Sequence, residues 1–241
     1  MQKAILAGMV AAAAASSGCA KDRQESAGPA TTRNYPVGAF DRIEVAGPYD
    51  VTVATGSAPS VRASGGERAI ERMVVEVKGG TLRIHPRKRS GLHFGWSKSH
   101  PVKLTVTVPR LAAAEIAGSG DISVDKVAGD SFEAGVAGSG NVRLGEVNVK
   151  RLKAGIAGSG EISAGRGRAL AADYEIAGSG DIDGAGVIAE TAAVSIAGSG
   201  NVAAHATGTA SVEIAGSGDV RVTGGAKCSV SKAGSGNVQC S

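Results

Sequence analysis

Seven acidic or amide side chains recur at one phase of the chain: Asp121, Asn141, Glu161, Asp181, Asn201, Asp219 and Asn237. Such oxygen ligands suit a hard cation like Ca²⁺. Glu115 with Asp121, Glu175 with Asp181 and Glu213 with Asp219 offer ligand pairs across a turn. The competing reading is a turn-forming Asx residue bonded to backbone. The alternation of Asp with Asn favours it, because neutral members separate like charges that would repel by about 1 kcal/mol or less in water. Paired carboxylates also raise glycoside hydrolysis, which needs two acids at a defined separation. Here the acids recur like decoration, and no unit departs from the pattern to build a site. The histidines are His85, His93, His100 and His205. Spacings of 8 and 7 between the first three match no short-range zinc signature. No catalytic residue, metal or cofactor is expected.

The segment from Lys78 to Lys103 departs most from the rest. It carries Lys78, Arg83, Arg87, Lys88, Arg89, Lys98 and Lys103 without one Asp or Glu, together with His93, Phe94, Trp96 and His100. Arg and Trp are frequent binding anchors. Arg87, Lys88, Arg89, His93, Phe94, Trp96 and Lys98 therefore form a candidate ligand-binding loop, with an anionic glycan or a phospholipid headgroup as the matching chemistry. The bland alternative is a solvated basic loop whose Phe94 and Trp96 cap the end of the fold.

These residues are positioned by a repeat. Ala-Gly-Ser-Gly occurs seven times, its first Gly at 118, 138, 158, 178, 198, 216 and 234, with spacings of 20, 20, 20, 20, 18 and 18. Ile or Val precedes six of the copies (Ile116, Val136, Ile156, Ile176, Ile196, Ile214), and Lys232 breaks the series. Ile or Val stands two places after every copy, from Ile122 to Val238. Alternation outward from the motif, as in Phe132, Ala134, Val136 and then Val142, Leu144, marks strands with one buried face. Gly-Ser-Gly supplies a corner where φ can be positive. Val127, Val147 and Val187 suggest a third, shorter face, and the two 18-residue units should lose their residues there. One unit cannot bury its apolar edge alone, but stacked units pair in parallel at about 4.8 Å and form aliphatic ladders. The expected fold is all-β: a parallel β-solenoid (β-helix) of about 18–20 residues per coil, right-handed, with a β-hairpin insertion in its N-terminal half. With aromatics at 3%, its core must be thin.

Residues 36–110 read as variant coils of one continuous solenoid spanning 36–241, and 111–241 hold the repeats. Phe40 to Val53, FDRIEVAGPYDVTV, contains a degenerate corner. Val74 to His85 reads as a hairpin turning at Gly79-Gly80. Val102 to Val108 alternates and ends at Pro109, so this strand should feed directly into the first repeat. At the other end, Cys228 and Cys240 fall at core-facing phases on the strands flanking the last corner. A Cys228–Cys240 disulfide closing the terminal coil is expected; the alternative is two buried free thiols.

Residues 1–19 have the parts of a bacterial export signal: Lys3, an apolar run from Ile5 to Ala15, then Ser16-Ser17-Gly18-Cys19. The run is too short to span a bilayer. Cys19 sits as in a lipobox, with Ser16 where Leu is usual, so N-terminal acylation at Cys19 and a membrane anchor are expected, with residues 20–35 as a flexible tether. The destination would be the cell envelope, outer membrane or periplasm. Residues 1–110 carry 16 Lys and Arg against 8 Asp and Glu, whereas residues 111–241 carry 10 against 14. One basic and one acidic half, with export, disfavour nucleic acid as a partner and leave an anionic glycan or an envelope protein.

The order FDRIEVAGPYDVTV, a GGTLRI hairpin, VKLTVTVPRLAAAEIAGSGDI and repeated AGSGDI/AGSGNV corners resembles a bacterial family described as the putative auto-transporter adhesin, head GIN domain. The resemblance covers about residues 36–240. It implies a β-helix-like fold in exported proteins, an adhesin-type role and no established catalysis. The alternatives are a self-assembling structural or regulatory envelope protein and, behind it, a polysaccharide-active enzyme. The chain has no C-terminal stretch suited to a membrane barrel, so "auto-transporter" does not apply to it literally.

Overall fold

The computed structural model describes residues 28–87 and 102–241. In chain order the elements are β1 (Ala30–Tyr35), β2 (Arg42–Ala46), β3 (Tyr49–Thr55), β4 (Ser60–Gly66), α1 (Glu67–Glu71), β5 (Met73–Lys78), β6 (Thr81–Pro86), β7 (Val102–Val108), β8 (Ala113–Gly118), β9 (Asp121–Gly138), β10 (Asn141–Gly158), β11 (Glu161–Gly178), β12 (Asp181–Gly198), β13 (Asn201–Gly216), β14 (Val220–Thr223), β15 (Lys227–Gly234) and β16 (Val238–Cys240). From residue 113 onward the chain is a β-solenoid of about six turns. Each long strand runs from one corner to the next and pairs in parallel with the following one. Asn141 faces Glu161, Ile156 faces Ile176 and Gly158 faces Gly178, an unbroken offset of 20.

Each coil has three walls. Wall A precedes the Gly-Ser-Gly corner, wall B follows it, and the short wall C closes the triangle. In β10 the inward side chains are Val142 and Leu144 on wall B, Val147 and Val149 on wall C, and Leu152, Ala154 and Ile156 on wall A, all buried. Val127 and Val147 stack as the third face that their phase predicts, and Val187 continues the column beyond Gly167, all three buried. The 18-residue coils shorten around it: the register slips between Asp183 and Thr191 and is regular on either side. A branched aliphatic side chain contributes about 1.5–3 kcal/mol on full burial, and the ladder buries several per coil.

The corners carry the stack across the bend. Gly138 lies at φ 127°, a region closed to most residues. Ser159 N–H donates to the Gly138 carbonyl at 2.8 Å and Ser179 N–H to that of Gly158 at 2.8 Å. The second corner glycine serves close approach instead. A Cβ on Gly160 would run into the Gly140 carbonyl oxygen and lie 2.7 Å from Val136 Cγ1.

The first rungs are not in chain order. β2 pairs in parallel with both β6 and β8, and β3 with both β7 and β9. The β2–β3 coil therefore lies between the β6–β7 rung and the first repeat. The degenerate Gly47-Pro48 corner is a true rung, with Gly47 at φ 119° and its carbonyl accepting from Gly120 N–H at 3.2 Å. β7 continues the chain into the repeats, as expected, but in space it borders β3 and β4. The hairpin is as read: β5 pairs antiparallel with β6 around Gly79-Gly80. On the other wall β4 and β1 extend β7 antiparallel. Ala30–Tyr35, expected within the tether over residues 20–35, is thus strand rather than flexible chain, because its backbone completes the edge of β4. α1 links β4 to β5 across the end of the stack and buries Ile70, with Met73 beside it.

Candidate functional site

Strands β6 and β7 are stacked on β2 and β3, where Gly47-Pro48 makes the corner. The chain between β6 and β7 therefore joins strands stacked on the two sides of the Gly47-Pro48 corner. Of the candidate ligand loop, Arg87 is exposed and its N–H donates to the Arg72 carbonyl at 2.7 Å. Lys88, Arg89, His93, Phe94, Trp96 and Lys98 lie outside the described residues, as do Cys19 and the export signal. Beside this corner, Arg83 pairs with Glu44 at 3.0 Å and His85 Nε2 lies 3.6 Å from Glu76. Lys103 is exposed on β7.

The Asp/Asn row does stack along wall B, and its partners are internal. Asn141 Nδ2 donates to Asp121 Oδ1 at 2.7 Å, and Arg143 lies 3.2 Å from Asp121 Oδ2. Asn201 N–H and Nδ2 both donate to Asp181 Oδ1, at 3.1 and 2.8 Å. Asp219 N–H donates to Asn201 Oδ1 at 3.1 Å and Asn237 N–H to Asp219 Oδ1 at 2.9 Å. The side-chain oxygens of Asp121, Asp181, Asn201 and Asp219 thus each hold the next rung, an inter-coil version of the turn role. Of the carboxylate pairs considered for a cation, Glu175 and Asp181 line different grooves. Glu115 and Glu175 line a groove of about 590 Å³ on wall A, whereas Asp181 and Asp219 line a separate one of about 730 Å³ on wall B.

The wall A groove is floored where Gly135 and Gly155 omit side chains between Glu115 and Glu175. No Cβ contact within 4 Å awaits a side chain at Gly155, so the floor is open. On the inside the ladder compensates in the opposite sense: Tyr174 replaces the Ala of preceding coils and packs where Gly184 leaves room. Its hydroxyl has no hydrogen-bond partner among the described residues, and burial, with Asp183 and Asp173 nearby, pushes its pKa up. Tyr49, under the first corner, is raised by burial and then by Tyr35. On the surface, the hydrogen bond and charge of Lys150 hold the Asp130 carboxyl below its ordinary value. Sequence reasoning missed the Tyr174–Gly184 exchange, although its signal was present: the bulkiest inner side chain beside the one glycine of its facing column.

At the far end Cys228 and Cys240 form a disulfide with Cα atoms 6.6 Å apart. They pair in register with Ala210 and Val222, the phases expected. Cys240 is nevertheless exposed and Cys228 only half-buried, since no further coil covers this one. Lys232, in the Ile column, turns its Nζ to the Gly236 carbonyl at 2.8 Å.

The family model for the putative auto-transporter adhesin, head GIN domain, matches residues 39–226. No curated protein matches the chain. Among solved structures it is similar to a putative adhesin from Bacteroides fragilis, with 24% identity, a TM-score of 0.76, and coverage of 88% of this chain and 97% of that one. It is also similar to a putative lipid binding protein from Parabacteroides distasonis, with 27% identity, a TM-score of 0.70, and coverage of 89% and 97%. A putative adhesin from Parabacteroides merdae shares the fold at 20% identity and a TM-score of 0.70, with coverage of 90% and 98%.

Proposed function

We propose, on the premise that this chain belongs to the putative auto-transporter adhesin, head GIN domain family, that it is an exported, lipid-anchored and non-catalytic adhesin-like module of the bacterial envelope. The solenoid is a rigid stalk, and its basic segment at residues 87–98 engages an anionic glycan. The observation that carries this reading is the in-register stacking of β6 and β7 on β2 and β3. The segment joining β6 to β7 in sequence is rich in Arg, Lys and aromatics, whereas the repeats join the matching strands by Gly-Ser-Gly alone. Such a segment departs from the repeat where a binding function would require it, while Arg supplies bidentate contacts to carboxylate or sulfate and Trp a flat apolar face. The separated carboxylate rows support a non-catalytic role. The Cys228–Cys240 disulfide supports an oxidising, extracytoplasmic location, with the signal at residues 1–19 and acylation at Cys19 as the route and anchor.

Binding of the full chain to arrayed acidic and neutral glycans tests it. Selective binding to acidic glycans, weakened at least ten-fold by Trp96→Ala or by Arg87→Ala with Arg89→Ala, is expected. Equal binding by these variants, at unchanged melting temperature, would refute the assignment.

A further inference from the structure

The three walls differ in charge. Along the repeats, wall A presents Glu115, Glu133, Asp173, Glu175 and Glu213 against Lys153 and Lys232, and wall B presents Asp121, Glu161, Asp181, Asp183 and Asp219 against Arg143 and Arg221. Wall C and its margins reverse the balance, with Arg110, Lys126, Lys150, Arg151, Arg166 and Arg168 against Asp125, Asp130, Glu146 and Glu190. Two pairs cancel as salt bridges, Asp130 with Lys150 at 2.8 Å and Glu146 with Arg166 at 3.2 Å, which leaves Arg110, Lys126, Arg151 and Arg168 against Asp125 and Glu190. Arg151 and Arg168 hold no salt bridge among the described residues.

The same wall exposes large aliphatic side chains. Leu170 is 56% exposed and Ile188 38%. They sit on adjacent rungs: Arg168 faces Asn148 on one side and Ile188 on the other, and Arg151 faces Ala171. Leu170, Ile188, Arg168 and Glu190 line one shallow groove. A single exposed aliphatic residue is ordinary on a soluble protein. Two on neighbouring rungs, bordered by guanidinium groups outside any salt bridge among the described residues, on the wall where cations outnumber carboxylates, form an amphipathic surface of the kind that lies on anionic lipid. The walls on either side carry the opposite sign and would be repelled by the same surface, which fixes the face presented.

We propose that wall C is a docking face for an anionic membrane surface, with Leu170 and Ile188 entering the headgroup boundary and Arg151 and Arg168 contacting lipid phosphate. The stalk would then lie along the bilayer, walls A and B outward. This is independent of the glycan reading, which concerns the other end of the stack. It also does not need the Cys19 anchor, because the experiment reads which wall meets lipid and not whether the chain is retained.

The test uses the full exported chain in a Trp96→Phe background, with a reporter from Leu170→Trp on wall C or, in a second variant, from Ser195→Trp on wall A. Each is mixed with vesicles of phosphatidylethanolamine and phosphatidylglycerol, or of phosphatidylcholine alone, containing brominated lipid. The expected result is blue-shifted, bromine-quenched emission for the residue 170 reporter on anionic vesicles only, absent for the residue 195 reporter and reversed by high salt. Arg151→Gln and Arg168→Gln should each raise the lipid concentration for half-maximal quenching about five-fold. Equal responses of the two reporters, an equal response on neutral vesicles, or no effect of removing the arginines would each overturn the proposal. A response to a soluble acidic glycan that matches the vesicle response would assign wall C to polyanions in general and overturn membrane docking.

Discussion

Two glycines five residues apart offer a sharp test of the corner packing. Gly155 and Gly160 both have φ outside the left-handed region, so alanine strains the backbone at neither. They differ only in what the new methyl meets. At Gly160 it would strike the Gly140 carbonyl oxygen and Val136 Cγ1, and that carbonyl accepts Glu161 N–H at 3.3 Å. Overpacking costs about 1–3 kcal/mol, and losing the rung hydrogen bond costs about 1 kcal/mol more. Gly160→Ala should therefore destabilise by about 3 kcal/mol. At about 2–4 °C per kcal/mol for a chain of this size, the melting temperature falls by roughly 6–12 °C. At Gly155 nothing lies within 4 Å of the new Cβ, and restricting the unfolded chain should stabilise by about 0.4–1 kcal/mol. Thermal melts followed by circular dichroism decide this, with hydrogen exchange locating the loss at the neighbouring rungs, as nearest-neighbour coupling in a repeat stack requires. Equal shifts for the two variants, or a neutral Gly160→Ala, would refute the claim that stacked corners are packed backbone against backbone.

The core offers a related exchange: Gly184→Ala should destabilise because its methyl meets the Tyr174 ring, and Tyr174→Ala in the same chain should recover part of the loss in a double-mutant cycle. Tyr174→Phe should be neutral or stabilising by up to about 1–3 kcal/mol in denaturant titration, since it removes a buried hydroxyl without a partner. Replacing Cys228 and Cys240 by Ser should cost about 2–3 kcal/mol locally, given the sequence separation of 12, seen as faster amide exchange in β15 and β16 with β9–β12 unchanged. Lys150→Ala should raise the Asp130 carboxyl pKa toward its ordinary value, measurable by NMR titration. Because that pKa is lowered in the folded chain, the small stabilisation it reports is present above the unfolded value and fades as pH falls through the folded one.

The repeat made much of the fold legible. A fixed phase of Ile and Val around Ala-Gly-Ser-Gly implies both the corner and the inward faces, and the same phasing brought Cys228 and Cys240 together before any coordinates. The slip to 18 residues could be placed on wall C because that is where the pattern loses members. The order of the first rungs was not legible. Parallel pairing of β2 with both β6 and β8 is a long-range choice that no local pattern encodes, and the chain continuity of β7 with the first repeat says nothing of the β2–β3 coil that lies between them in space. β1 looked like tether because a polar edge strand, ATTRNY, has no apolar alternation to betray it. The charge reversal of wall C was present in the phased sequence, in Lys150, Arg151, Arg166 and Arg168, but emerges only once the short third face is known to exist.

The fold is held by coils stacked at an offset of 20 residues, with the β2–β3 rung beneath them. Methyl–methyl nuclear Overhauser contacts in the isotope-labelled chain measure this directly. Contacts of Ile156 with Ile176, Ile176 with Ile196, and Val45 with both Ile84 and Ile116 are predicted. Contacts displaced from that offset, or Ile84 methyls touching Ile116 with Val45 absent between them, would contradict it.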